Sequence, residues 1–294
     1  MTVIEGGRGD RGVTAVTTGP RTASPGTGAG GSGAGPRSSG GDPPRVDLVL
    51  APTPLHLAPR LSRELGVPVL FKRDDLAGAG LGGNKLRGLE FLIADALAQG
   101  CDSLVTGAGP QSNWTMLAAL ACLRYGIEPH VVCYGTGDPH EAGPSGASPS
   151  GASPSGASPS GASRAEGNMR LHRWLGVDVR FTGQAERSSV DAGIAAVTGE
   201  LRAAGRHPYP VPRGGATPLG ALGYVRASVE LAAQLAGPEE PPAGLWLATG
   251  SCGTQAGLVA GAALTGAGYQ VVGVTVSRPA GEAAGRVRDL AAAA

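Results

Sequence analysis

The sequence predicts an α/β fold organised on parallel sheets, and three stretches predict it. In each, a short β-branched or apolar run leads into a glycine-bearing polar loop and then into apolar residues at helical spacing. The first runs from residues 67–72 into Gly82-Gly83-Asn84-Lys85, the second from 103–106 into 107–113, and the third from Gly244–Ala248 into 249–254. Strands that alternate with helices in this way pair in parallel, and such sheets bind ligands outside the carboxyl ends of their strands.

Taken in order, residues 1–45 are Gly, Ser, Thr, Pro and Arg with few large apolar side chains. Such a segment cannot bury enough surface to offset its ordering entropy, so it reads as a disordered arm. Organised sequence starts near Val46. Pro52-Thr53-Pro54-Leu55 followed by Leu57, Leu61 and Leu65 reads as an extended entry and a short amphipathic helix. The strand over 67–72 ends in Arg73-Asp74-Asp75. Leu86, Leu89, Ile93, Ala96 and Leu97 then recur at helical spacing up to Gly100, which puts Lys85 in the first turn of a helix packed by one face. A strand over 103–106, a helix over 114–125 and a strand over 130–134 follow.

Next, Pro144-Ser145-Gly146-Ala147-Ser148 is repeated without change through Ser163. These small and polar residues have no core to make, so 140–163 reads as a flexible insertion in a surface loop, where added length costs little closure entropy. The fold resumes at Gly167-Asn168-Met169 with a helix to Leu175. A strand over Asp178–Phe181, a helix over 190–204, a strand over 207–211 and a helix over 220–235 come next. Strand Gly244–Ala248, a helix to Leu264 and a strand over 269–276 complete the pattern, and the last segment ends in alanines.

Among 294 residues, 51 Gly and 24 Pro indicate that the packed part is shorter than the chain. A net charge of +1 without a basic block argues against a nucleic-acid surface, which needs clustered Lys and Arg. No stretch has the apolar length of a membrane span, and the N-terminus carries no signal-like apolar region. The expectation is small-molecule chemistry in the cytoplasm. Cys101, Cys122, Cys133 and Cys252 lack metal-ligand spacing and read as buried reduced thiols, with no metal expected.

Lys85 after a glycine pair can be a surface charge, a point charge for phosphate, or the nucleophile that holds a carbonyl cofactor. The loop over 249–254 sets glycines, hydroxyls and backbone N–H groups at a helix N-terminus; it suits a phosphate and is otherwise a tight turn. Lysine does not follow its second glycine and its neighbours do not fit G-x-G-x-x-G, which argues against a nucleotide. The loop over 107–113 is either part of a site or a turn with Ser112 or Asn113 as helix cap. Together the three bring a lysine, an amide and an anion cradle to the ends of strands.

The sequence Gly82-Gly83-Asn84-Lys85-Leu86-Arg87 with Leu89-Glu90-Phe91, then Gln111-Ser112-Asn113, Gly167-Asn168 and Gly250-Ser251-Cys252-Gly253-Thr254-Gln255-Ala256-Gly257, resembles the 1-aminocyclopropane-1-carboxylate deaminase and D-cysteine desulfhydrase family. These are pyridoxal-phosphate enzymes of the tryptophan-synthase-β fold type, and the resemblance runs from about Val46 to about Val276. It implies two open parallel-sheet αβα domains, C-terminally incomplete, the larger from 46–88 and 207–294 and the smaller from 89–206. It also implies pyridoxal 5'-phosphate, a small amino-acid substrate, a homodimer, and release of ammonia and a 2-oxo acid. Lys85 would hold the cofactor covalently and later move protons, and Asn84 would join it in the cofactor site. Asn113 would bond the cofactor's ring hydroxyl, Ser112 would face the substrate, and Ser251, Cys252, Gly253 and Thr254 would hold the phosphate.

Trp114 stands where relatives usually carry His or Gln, and Gly88 where many carry a second lysine. The family's Asp-Pro-Val-Tyr-like motif is not found after Val276. That leaves a second reading, a relative that binds the cofactor or a partner without turnover, and an expectation that a version extended through the motif would turn over faster.

Overall fold

The computed structural model describes residues 2–4, 14–18, 43–136, 167–237, 242–275 and 277–294. The pentapeptide repeat and most of the N-terminal arm lie outside them. By contact density the chain separates into two compact units, one of residues 1–78, 82–95 and 216–294, the other of 79–81 and 96–215.

The first unit begins with two short strands inside the arm that the sequence reads as disordered, β1 (Thr2–Ile4) and β2 (Thr14–Thr18). β-branched Thr, Val and Ile supply the strand preference there. β3 (Leu55–Leu57) leads into helix α1 (Pro59–Leu65), which has proline at its first position and stops at Gly66 with φ of 70°. Strand β4 (Leu70–Lys72) is shorter than the stretch over 67–72 predicts, because Pro68 has no N–H to give a ladder, and it pairs antiparallel with β3. Helix α2 (Lys85–Ala98) starts on Lys85 itself.

In the second unit, β5 (Ser103–Ala108) leads to α3 (Asn113–Arg124), β6 (Glu128–Cys133), α4 (Gly167–Trp174), β7 (Asp178–Phe181), α5 (Ser189–Ala203) and β8 (Pro208–Pro210). The four strands form a wholly parallel sheet in the order β7-β6-β5-β8. Val190, Ile194, Val197 and Leu201 make one stripe of α5 and bury against Val105 and Val132, so a strand face and a helix face share one core. β8 is hydrogen-bonded to β5, with Ser103 opposite Pro208, which carries residues 207–211 into this unit. Its two prolines are tolerated because it is an edge strand.

The chain then returns to the first unit with α6 (Pro218–Gln234), β9 (Gly244–Ala248), α7 (Gly253–Thr265), β10 (Gln270–Thr275) and α8 (Ala280–Ala293). β9 and β10 are parallel, while β2 joins β10, and β1 joins β2, in antiparallel register, so this sheet is mixed. α8 is an element the sequence reading does not anticipate. Ala280, Ala283, Ala284 and Val287 recur at helical spacing and pack on Cys252, with Val259 and Leu290 beside them.

Helix α6 approaches both α2 and α7 at near-backbone distance. A Cβ on Gly88 would lie 2.8 Å from the carbonyl oxygen of Gly220, and one on Gly257 would lie 2.2 Å from that of Ala221. Gly88 is therefore a packing requirement, which gives the departure from a family lysine a structural reason. None of the described helices is long and apolar enough to cross a membrane.

Candidate active site

In the first unit, Gly82 has φ of 70°, and a Cβ there would meet the backbone oxygen of Asp75 at 2.0 Å. Only glycine fits, and the chain folds back on the turn Asp74–Leu76, with the Gly83 N–H donating to the Asp74 carbonyl at 2.8 Å. This fold-back delivers Asn84 and Lys85 to the start of α7. The Asn84 amide donates to Thr254 Oγ1 at 2.8 Å, and Lys85 Nζ lies 3.4 Å from Ser251 Oγ. Burial pushes the Lys85 amine below its ordinary value, with Cys252 acting the other way.

The anion cradle is built by the loop between β9 and α7. Cys252 is the cap residue of α7, sits at φ of 76°, and gives no side-chain bond to the helix. The N–H groups of the first turn therefore receive nothing from their own cap, and the positive end of the helix dipole faces the loop. Gly253 lets the turn approach Ala216, whose Cα would be 3.3 Å from an added Cβ. A half-buried amine, the hydroxyls of Ser251 and Thr254 and a helix N-terminus form a donor set that fits a phosphate-bearing carbonyl compound.

Lys72, the other lysine of this region, is committed elsewhere. Its ammonium bonds Glu230, Gln234 Oε1 at 2.8 Å and the Thr53 carbonyl at 2.7 Å, using all three donors. It belongs to a buried network centred on Arg87, which is 4% exposed. Arg87 bonds Asp74 and Glu230, donates to Thr53 Oγ1 at 3.0 Å, and lies 5.8 Å from the ring centroid of Tyr224. The Tyr224 hydroxyl donates to Asp74. Burial, the largest influence on each, raises the Asp74 and Glu230 carboxyls, but the Arg87 guanidinium, joined by the Tyr224 and Thr53 hydroxyls at Asp74 and by the Lys72 ammonium at Glu230, holds both below their ordinary values. The network fixes α2 to α6 two residues beyond Lys85. Its only visible signals in the sequence are Arg87 in the glycine-lysine motif and Asp74 at the strand end, and nothing marks Glu230.

In the second unit, Ser112 is the cap of α3, its Oγ accepting from the Trp114 N–H at 3.2 Å, which decides the choice between Ser112 and Asn113. Asn113 is held by Asn168, whose Nδ2 donates to Asn113 Oδ1 at 2.9 Å and to the Gln111 carbonyl at 3.0 Å. Asn168 thus has a task that the sequence pattern contains but does not assign. His172, on the same helix as Asn168, is buried with its Nε2 3.2 Å from Thr115 Oγ1, and burial pushes its pKa down. Because Thr115 Oγ1 donates to the Ser112 carbonyl, the neutral ring donates from Nε2. Trp114 is a core residue: its Nε1 donates to Thr106 Oγ1 at 2.9 Å, and its ring fills the space beside Gly215. The predicted residues thus fall into two sets. Asn84, Lys85, Ser251, Cys252, Gly253 and Thr254 come together in the first unit, and Ser112 and Asn113 stand together in the second. All four cysteines are buried, and none is in a disulfide.

Comparison with known proteins gives this arrangement a context. A Pyrococcus abyssi protein provisionally named 1-aminocyclopropane-1-carboxylate deaminase is 37% identical over 253 residues, covering 84% of this chain and 67% of the relative. D-cysteine desulfhydrase of Yersinia pestis is 37% identical over 247 residues, covering 84% and 68%. The crystal structure of an ACC deaminase homologue superposes with a TM-score of 0.69 at 30% identity, covering 86% of this chain and 69% of that one. The chain spans about two thirds of the length of these relatives. The family of pyridoxal-phosphate dependent enzymes matches residues 46–292, and the chain belongs to that family.

Proposed function

We propose that the protein is a pyridoxal-phosphate-dependent deaminase or lyase acting on a small amino acid, with D-cysteine and 1-aminocyclopropane-1-carboxylate as the first substrates to test. The observation that carries this reading is the Lys85 amine, half-buried and lowered in pKa by desolvation, beside Ser251 at the start of α7 while Lys72 is fully bonded elsewhere. The relatives' names support the substrate class.

When bound, pyridoxal phosphate supplies an electron sink for a carbanion beside the amino nitrogen. Lys85 would hold its carbonyl carbon, and Ser251, Cys252, Gly253 and Thr254 would take its phosphate on hydroxyls and N–H groups. Asn84 orients Thr254. By resemblance, Asn113 is assigned to the ring hydroxyl and Ser112 to the substrate. Once free, the Lys85 amine takes or returns a proton at the substrate carbon, a role for which a lowered pKa is suited. D-cysteine with water would give hydrogen sulfide, ammonia and pyruvate; the cyclopropane substrate with water would give ammonia and 2-oxobutanoate. We further propose a homodimer in the cytoplasm, the latter supported by four buried thiols without a disulfide.

The test is release of ammonia and oxo acid from both substrates by cofactor-loaded protein and by its Lys85→Ala variant. Turnover that vanishes with Lys85→Ala supports the reading. A cofactor-loaded protein that is inert toward both substrates and other small amino acids overturns it in favour of binding without turnover.

A further inference from the structure

We infer that Arg278 and Arg286 are positioning residues of the anion cradle, fixing the peptide planes that present its N–H groups; this rests on reading the loop as the phosphate site. Arg278 Nε donates to the carbonyl of Gly250 at 3.0 Å, and Arg286 Nε donates to the carbonyl of Ser251 at 3.1 Å. These are successive peptide units. In a planar trans peptide the C=O and the following N–H point in opposite directions. Anchoring the Gly250 and Ser251 carbonyls on the two guanidiniums therefore turns the N–H groups of Ser251 and Cys252 away from the arginines. It also keeps two carbonyl dipoles from facing an anion.

Two further observations agree with this. Cys252 has φ of 76°, a conformation that is unfavourable for a side-chain-bearing residue and persists only where the surroundings hold it. The two arginine bonds fall on the peptide units immediately before it. The second observation is charge: both guanidiniums stand behind the loop, and although Arg278 also pairs with Glu282 at 2.6 Å, they add positive potential where the helix end is already positive. Apolar packing of Ala283, Ala284 and Val287 on Cys252 already docks α8, so the arginines act on the loop's orientation rather than on the attachment of the helix.

The test separates phosphate from the rest of the cofactor. Apo-protein is titrated with pyridoxal phosphate and with phosphate-free pyridoxal, following the cofactor absorbance, for wild type, Arg286→Met, Arg286→Lys and Arg278→Met. Each methionine variant is expected to weaken pyridoxal phosphate by roughly tenfold, the size of a charged hydrogen bond, while leaving pyridoxal unchanged. Arg286→Lys should recover part of the loss, because an ammonium can reach the same carbonyl. Equal weakening of both ligands, or of neither, overturns the assignment. Should Arg286→Met fail to fold by thermal melting, Arg278→Met, whose side chain lies outside the apolar face of α8, decides the matter alone. Wild type that binds both ligands equally would instead remove the phosphate reading of the loop, and this assignment with it.

Discussion

The guanidinium of Arg87 closes on the carboxylate of Asp74 at two points, Nε to Oδ2 at 2.9 Å and Nη2 to Oδ1 at 2.8 Å. Arg87→Met would leave Asp74 and Glu230 buried without their main counter-charge, a loss of about 3–5 kcal/mol by urea unfolding. Arg87→Lys should recover little, since an ammonium cannot reproduce the paired contact. The pH dependence follows from the signs. Both carboxyls are held below their ordinary values of 3.8 and 4.5, so their contribution is complete above those values and is lost as pH falls through the folded ones. In Arg87→Met the remaining burial pushes them up, and acid unfolding should begin at higher pH than in wild type. An unchanged acid limb would contradict the account.

Borohydride reduction of cofactor-loaded protein should fix pyridoxyl mass on the peptide containing Lys85. Lys72→Met should leave that labelling intact while lowering the melting temperature, because it strips Glu230 of a buried partner. Adduct on Lys72 would refute the assignment.

Removing the Lys85 charge should stabilise the apo-protein. Its folded pKa is lowered from 10.5, so wild type binds fewer protons folded than unfolded, and its stability rises with pH between the folded value and 10.5. Lys85→Met should therefore melt higher than wild type at neutral pH, with the gap closing as pH approaches 10.5. A gap that does not narrow would show that the amine is not desolvated.

The two glycines Gly257 and Gly199 give an internal comparison. Gly257→Ala drives a methyl into the Ala221 carbonyl and Tyr224 Cβ and should cost about 1–3 kcal/mol. Gly199, on the exposed side of α5, has nothing within 4 Å, and Gly199→Ala should gain about 0.5–1 kcal/mol from helix propensity. Denaturant midpoints of the two variants moving the same way would contradict the packing of α6 on α7.

What the sequence determined by itself is the local physics. Alternating strand-like and helix-like runs specify the α/β class, because period 2 and period 3.6 patterns survive without tertiary context. The glycine pair before Lys85 and the glycine-hydroxyl loop before α7 are legible for the same reason: a tight turn and a helix N-terminus are set by adjacent residues. Helix α8 is less legible, because its packed face is Ala280, Ala283, Ala284 and Val287 and alanine carries only a weak apolar signal. Only the tertiary structure decided how the lysines divide. Lys72 and Lys85 lie 13 positions apart on neighbouring elements, and nothing local says that Glu230 and Gln234 on α6 occupy one while Ser251 meets the other. It likewise assigned Asn168 to Asn113 and turned Trp114 and Gly88 from apparent departures in the site into packing residues. The reason is distance along the chain: caps and turns are made by neighbours in sequence, whereas burial, and the charge partners burial demands, are made by residues brought together only when the helices pack.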